Sequence, residues 1–110
     1  MLQKDIYLVN LDPIKGKEQR GRRSAVIISG NTMNKNLDIF IICPISSKIK
    51  NYAGCVKVSK NKTNKLSEDS EIITFQIRAI EKERMIKKIG EITSEQLKEI
   101  LYSLNEIFYY

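Results

Sequence analysis

At 110 residues and 42% hydrophobic content, the chain is long enough to bury one core without disulfide or metal staples, so positions 1–110 read as a single domain. Nineteen Lys and Arg against 13 Asp and Glu give a net charge of +6, which suits a polyanionic partner. The absence of histidine excludes a Ser-His-Asp hydrolase and moves any acid–base chemistry onto Glu, Asp, Lys, Tyr or Arg.

Ile6 to Leu11 is an apolar run of strand character, with Ile6, Leu8 and Asn10 on one side and Tyr7, Val9 and Leu11 on the other; Asp12-Pro13 ends it. Its start follows Met1-Leu2-Gln3-Lys4-Asp5, which is no signal segment. No later run approaches the roughly 18 apolar residues of a membrane span. Lys15 to Arg23 then packs five cations, one carboxylate and two glycines into nine residues. That composition suits a loop that grips phosphate, since arginine forks match phosphate oxygens in pairs; it equally suits a solvated basic hairpin tip. Ser24 to Ser29 is a second strand, and Gly30 to Asn36 a turn-rich connection with room for one helical turn.

Leu37 to Cys43 is the most apolar strand, with Pro44 expected to stop it and Ile45 to Lys48 expected to leave as a loop. Tyr52 to Ser59 is a further strand, Lys60 to Asp69 a polar loop, Glu71 to Ile80 a strand and Met85 to Ile89 a last short one. Cys43 and Cys55 fall in strand segments without metal-ligand spacing, which predicts two reduced core thiols in a cytosolic protein. Thr93 with Gln96 forms a capping box for a helix whose stripe is Leu97, Ile100, Leu101, Leu104 and Phe108, widened by Tyr102, Tyr109 and Tyr110. Short strands with one terminal helix predict a mainly β protein, a small barrel or a strongly bent sheet.

Acid–base chemistry at a phosphate requires a proton acceptor, a proton donor and groups that hold phosphoryl charge. Glu18 is the one acid of the basic loop, either a proton acceptor or a salt-bridge partner of Arg20 or Arg22. Arg23, where the second strand begins, is either a charge-stabilising donor or a plain phosphate contact.

The segments Asp5–Pro13, Gly16-Lys17-Glu18-Gln19, Gly21-Arg22-Arg23 and Ala25–Ser29 resemble the opening of the MazF/PemK family of toxin endoribonucleases. The family pattern there is a strand ending in an acidic residue and proline, then Gly-x-Glu-Gln-x-Gly-x-Arg-Pro, then an apolar strand. Pro44-Ile45-Ser46-Ser47 is similar to the family's threonine motif, and Gln76-Ile77-Arg78 to its Gln-x-Arg strand. The resemblance implies an SH3-like barrel of the MazF/CcdB-like toxin fold with a C-terminal helix, forming a homodimer with an RNA groove across it. It implies a cytoplasmic toxin of a type II toxin–antitoxin system, silenced by a MazE-like antitoxin. The implied activity is metal-independent cleavage of single-stranded RNA to 2′,3′-cyclic phosphate and 5′-hydroxyl ends, without a cofactor.

Carried over position by position, Arg23, Ser46 and Glu18 stand at the catalytic positions, with Ser47 next in register to Ser46. Lys17, Gln19, Arg20, Arg22, Ser47, Lys48, Gln76 and Arg78 stand as RNA-binding residues, with Gln76 and Arg78 expected on one strand face. Lys48, Lys50, Lys60, Lys62 and Lys65 could extend a positive track, and Tyr52 could stack on a base.

Three departures stand out. Ser24 replaces the proline after the arginine, Ser46 replaces threonine, and Phe75 occupies a position that is acidic in many members. Phe75 is therefore either a buried strand residue or a base-stacking one. Two other readings stay open: a CcdB-like toxin that poisons gyrase without nuclease activity, and a catalytically silent RNA-binding barrel.

Overall fold

The computed structural model describes residues 1–11 and 21–109. Among the described residues seven strands make an antiparallel sheet: β1 (Asp5–Asn10), β2 (Arg22–Ile27), β3 (Ile39–Ser46), β4 (Val56–Val58), β5 (Ser70–Ile72), β6 (Arg78–Glu81) and β7 (Met85–Glu91). A one-and-a-half-turn helix, α1 (Asn31–Asn36), joins β2 to β3, and a long helix, α2 (Ser94–Tyr109), follows β7. The strand order is β4-β5-β3-β2-β1-β7, with β6 beside the first half of β3.

Period-two alternation divides the apolar residues between two faces. On one face Ile6, Val26, Ile28, Cys43, Ile45 and Ile72 pack with Ile100 and Leu104 of α2. On the other, Val9, Ala25, Ile27, Phe40, Ile42, Ile80 and Met85 form a second core, with Tyr7 and Leu11 against it. Two register shifts between β1 and β7, at Ile6/Tyr7 and Leu8/Val9, add local twist and help bend the sheet. Among the described residues the sheet is barrel-like rather than closed, with β4 and β7 at the ends of the strand path.

Pro44 does not stop the third strand, which continues to Ser46. On one side β3 keeps β2 as its partner through Ile45. On the other it exchanges β6, paired up to Ile42, for β5, paired from Ile45. Pro44 falls in that gap; its carbonyl accepts from the Ile73 N–H at 2.9 Å on the same side, where a missing proline N–H orphans no ladder partner.

The segment expected as one strand over 71–80 is instead β5, a 3-10 turn over Thr74–Gln76, and β6. The turn carries the chain past Pro44 from one half of β3 to the other. The strand expected over 52–59 is likewise trimmed to Val56–Val58.

The capping box forms as the sequence predicts: the Thr93 N–H donates to Gln96 Oε1 at 2.9 Å and the Gln96 N–H to Thr93 Oγ1 at 3.1 Å. The stripe that α2 turns to the core is Leu97, Ile100, Leu104 and Ile107. Leu101, Tyr102, Phe108 and Tyr109 are exposed instead. No helix among the described residues is long and apolar enough to cross a membrane.

Candidate active site

Arg23 lies in β2 opposite Val9 of β1. Its neighbour Ser24 pairs with Ile45 of β3, so one step further along the same two strands brings Arg23 level with Ser46. Residues paired across an antiparallel ladder share a face. Arg23 therefore continues the row of Ile27 and Ala25, and Ser46 the row of Phe40, Ile42 and Pro44, both on the side of the second core. At this end of the sheet the two rows change from buried apolar residues to an exposed guanidinium and a half-buried hydroxyl.

The Ser46 oxygen accepts the Lys48 N–H at 3.1 Å, which fixes the start of the following loop and leaves the hydroxyl proton to donate outward. Arg78 opens β6 opposite Ile42 and is exposed on the same face, further down β3. Gln76 is exposed in the 3-10 turn beside Pro44, between the levels of Ser46 and Arg78, so it and Arg78 do not share one regular strand face as expected. Lys48 is exposed just past Ser46.

The same alternation carries two expected residues away. Arg22 pairs with Asn10 and belongs, with Ser24 and Val26, to the opposite face. Ser47, one residue past Ser46, lines a cleft of about 260 Å³ on that opposite side, with Ser24, Ile45, Lys65, Ser70 and Ile89 among its walls. Glu18, Lys17, Gln19 and Arg20 lie outside the described residues.

Glu71, missed as a candidate from the sequence, pairs with Ser46 across β3 and β5. Its side chain is 2% exposed, and its carboxylate accepts the N–H groups of Lys50 at 3.3 Å and Asn51 at 3.1 Å. A carboxylate with two backbone donors is satisfied although buried. It ties the loop after Ser46 back onto the sheet. The sequence signal was present in the alternation Ser70-Glu71-Ile72, which puts Glu71 opposite in direction to the core residue Ile72.

A second tie comes from Thr74, fully buried, whose hydroxyl donates to the Gly54 carbonyl. Phe75 is 47% exposed, not a buried strand residue, because the 3-10 turn rotates it outward. Its ring meets that of Tyr52, 53% exposed, at a centroid distance of 5.9 Å and an angle of 57°.

Cys43 is a buried free thiol whose pKa is pushed up to about 12, chiefly by burial and secondarily by Cys55. Cys55 is also free and is raised by burial and then by the Glu71 carboxylate. Neither presents a thiolate nucleophile near neutrality. Among the described residues no three His, Cys, Asp or Glu side chains cluster as a metal site would need.

The chain is similar to known proteins over most of its length. Residues 2–108 match the family of PemK-like, MazF-like toxins of type II toxin–antitoxin systems. The endoribonuclease MazF of Staphylococcus saprophyticus subsp. saprophyticus is 35% identical over 102 residues, covering 91% of this chain and 84% of that protein. The Mycobacterium tuberculosis toxin MazF-mt6 superposes with a TM-score of 0.79 at 17% identity, covering 94% of this chain and 95% of that one. MazF from Deinococcus radiodurans superposes with a TM-score of 0.79 at 22% identity, covering 100% and 97%. A mycobacterial endoribonuclease in complex with its cognate antitoxin gives 0.80 at 16% identity, covering 98% and 94%. The chain belongs to the PemK/MazF family of toxin endoribonucleases.

Proposed function

We propose that this toxin endoribonuclease cuts single-stranded RNA at a short sequence without a metal, leaving a 2′,3′-cyclic phosphate and a 5′-hydroxyl, and that Arg23 and Ser46 hold the scissile phosphoryl group. The observation that carries the reading is the placement of these two residues at the same level and on the same face of neighbouring strands. Two donors anchored on a sheet can meet charge developing on the phosphoryl oxygens with little reorganisation. In the reaction the 2′-oxygen forms a bond to phosphorus, the bond to the 5′-oxygen breaks, and that oxygen takes a proton from solvent water as it leaves. Glu18, the acid of the basic loop, takes the 2′-hydroxyl proton; the chain has no histidine to do so. Arg78 on that face, with the exposed Gln76 of the 3-10 turn and Lys48 of the loop after Ser46, binds the flanking RNA. Lys17, Gln19 and Arg20 bind it from the basic loop.

The toxin works in the cytoplasm as a homodimer silenced by a cognate MazE-like antitoxin. A solved relative supports the antitoxin: the Deinococcus radiodurans toxin is known as a MazE–MazF complex. So do Leu101, Tyr102, Phe108 and Tyr109, exposed apolar residues on α2 that another chain could cover.

The test is to incubate purified, antitoxin-free protein with a long mixed-sequence RNA in excess EDTA, beside an Arg23→Ala control, and to map the fragment ends. Discrete cuts by the wild type alone, with cyclic-phosphate termini, are expected. Intact RNA across substrates of varied sequence, from a folded sample, would overturn the reading and leave a silent binder or a gyrase-directed toxin.

A further inference from the structure

The loop over 50–55 is built to hold one exposed side chain in place. Asn51 and Gly54 both take left-handed backbone conformations, with φ of 57° and 90°. The Cys55 N–H returns to the Tyr52 carbonyl at 3.2 Å, closing a turn in which Gly54 holds the position that needs positive φ. Tyr52 stands between two anchors from the sheet, the Glu71 carboxylate on Lys50 and Asn51, and the Thr74 hydroxyl on Gly54. Both anchoring side chains are buried, and Thr74 directly precedes Phe75. The same construction thus fixes both members of the Tyr52–Phe75 pair while leaving both rings about half exposed. An aromatic pair so fixed contributes little to the core and offers a rigid apolar surface to a ligand.

Its surroundings indicate which ligand. Glu71 pairs with Ser46, Gln76 follows Phe75, and the loop that bears Tyr52 also bears the exposed Lys48 and Lys50. Aromatic faces next to cations that track a backbone are how single-stranded nucleic acids are held, because every base has a π-face. We propose that Tyr52 and Phe75 form a stacking platform for one unpaired nucleobase beside the phosphate gripped by Arg23 and Ser46. The proposal rests on the nuclease reading and adds a base-binding subsite to it.

The experiment uses a short RNA bearing the mapped cut sequence, made uncleavable by a 2′-deoxy sugar at the attacked position, with 2-aminopurine placed at each neighbouring position in turn. Wild-type protein is expected to quench one position, since stacking quenches that fluorophore. Tyr52→Ala and Phe75→Ala are expected to bind about ten-fold more weakly and to lose the quench, while Phe75→Tyr retains both. An abasic residue at that position should weaken wild-type binding by a similar factor and leave the two alanine variants unchanged. Thermal melting of each variant establishes that it is folded. Alanine variants that bind and quench like wild type would overturn the platform while leaving the nuclease reading intact. A Phe75→Ala protein that halves its sedimentation mass with the quench intact would also overturn it, assigning the pair to contact with a second copy. Wild type that neither binds nor cuts any RNA would remove the nuclease reading and the platform with it.

Discussion

Arg22 and Arg23 are adjacent and chemically identical, and so are Ser46 and Ser47, yet the sheet sorts each pair to opposite sides. Arg23 and Ser46 continue the rows that end the second core, where β2 and β3 run level. Arg22 and Ser47 go to the side occupied by Ser24 and the cleft beneath Lys65. Composition cannot make this distinction, because both members of each pair carry the same groups. Strand register makes it, and a slip of one residue would exchange the two sets. The lesson is that a basic loop supplies cations in excess, and the strand it enters selects which one shares a face and a level with Ser46.

The most severe test is therefore within the arginine pair. Arg23→Ala is expected to lower the cleavage rate about 10²- to 10³-fold with the melting temperature unchanged, the cost of removing a well-placed donor. Arg22→Ala should lower it only a few-fold, and that loss should shrink as salt rises, as for a distant charge. Single-turnover cleavage of one RNA across salt concentrations measures both. Equal losses would break the comparison between faces.

Next in size is Glu71→Ala, which strips the acceptor from two backbone N–H groups on the active face. Stability is expected to fall by about 2 kcal/mol, because two donors lose a buried partner at once. Urea unfolding measures it. Glu71→Gln, which keeps one acceptor oxygen, should lose about half as much. If Glu71→Ala unfolds at the wild-type midpoint, the loop is not held by this carboxylate and the active face has no built wall there.

The serine pair gives a smaller effect. Ser46→Ala is expected to slow cleavage about ten-fold, Ser46→Thr to retain it, and Ser47→Ala to stay within about two-fold, as hydrogen bonds to charged groups are worth more than bystander contacts. Single-turnover rates again decide. A larger loss at Ser47 would shift the register of the site by one residue and move it to the other face.

What was legible in the sequence was whatever a short period encodes. The alternation in β1 and β2, the Thr93–Gln96 box and most of the α2 stripe follow from local spacing, and the resemblance of the loop and strand motifs pointed to Arg23 and Ser46, which β2 and β3 bring level on one face. What was not legible depends on partners distant in sequence. Pro44 stays in a strand only because β5 and β6 divide one edge of β3 between them, which no reading of Cys43-Pro44-Ile45 reveals. That same exchange requires the turn over Thr74–Gln76, and the turn exposes Phe75 and separates Gln76 from the strand of Arg78. Local alternation gives the face of Glu71, but its role comes from a loop some twenty residues earlier. Phe108 has the right spacing for the core stripe, but α2 presents Ile107 instead, because the sheet meets the helix along a narrower band than the apolar residues cover.

The smallest effect tests whether the helix-covered face is as closed as the active face is open. Cys43 faces α2's core, and its thiol is pushed up to about 12 from an ordinary value near 9, mainly by burial. Between those values an unfolded chain gives up the Cys43 proton while the folded chain keeps it, so the folded state holds more protons and loses stability as pH rises. The contribution is fully present below pH 9 and is lost progressively by about pH 12, with a limiting slope of about 1.4 kcal/mol per pH unit. Cys43→Ala carries no such proton. Its stability should start lower at pH 8, from the cavity it leaves, and then decline less steeply than that of wild type between pH 9 and 11. Parallel slopes in urea unfolding would mean that water reaches Cys43, and that the face beneath α2 is not the sealed counterpart of the one bearing Arg23.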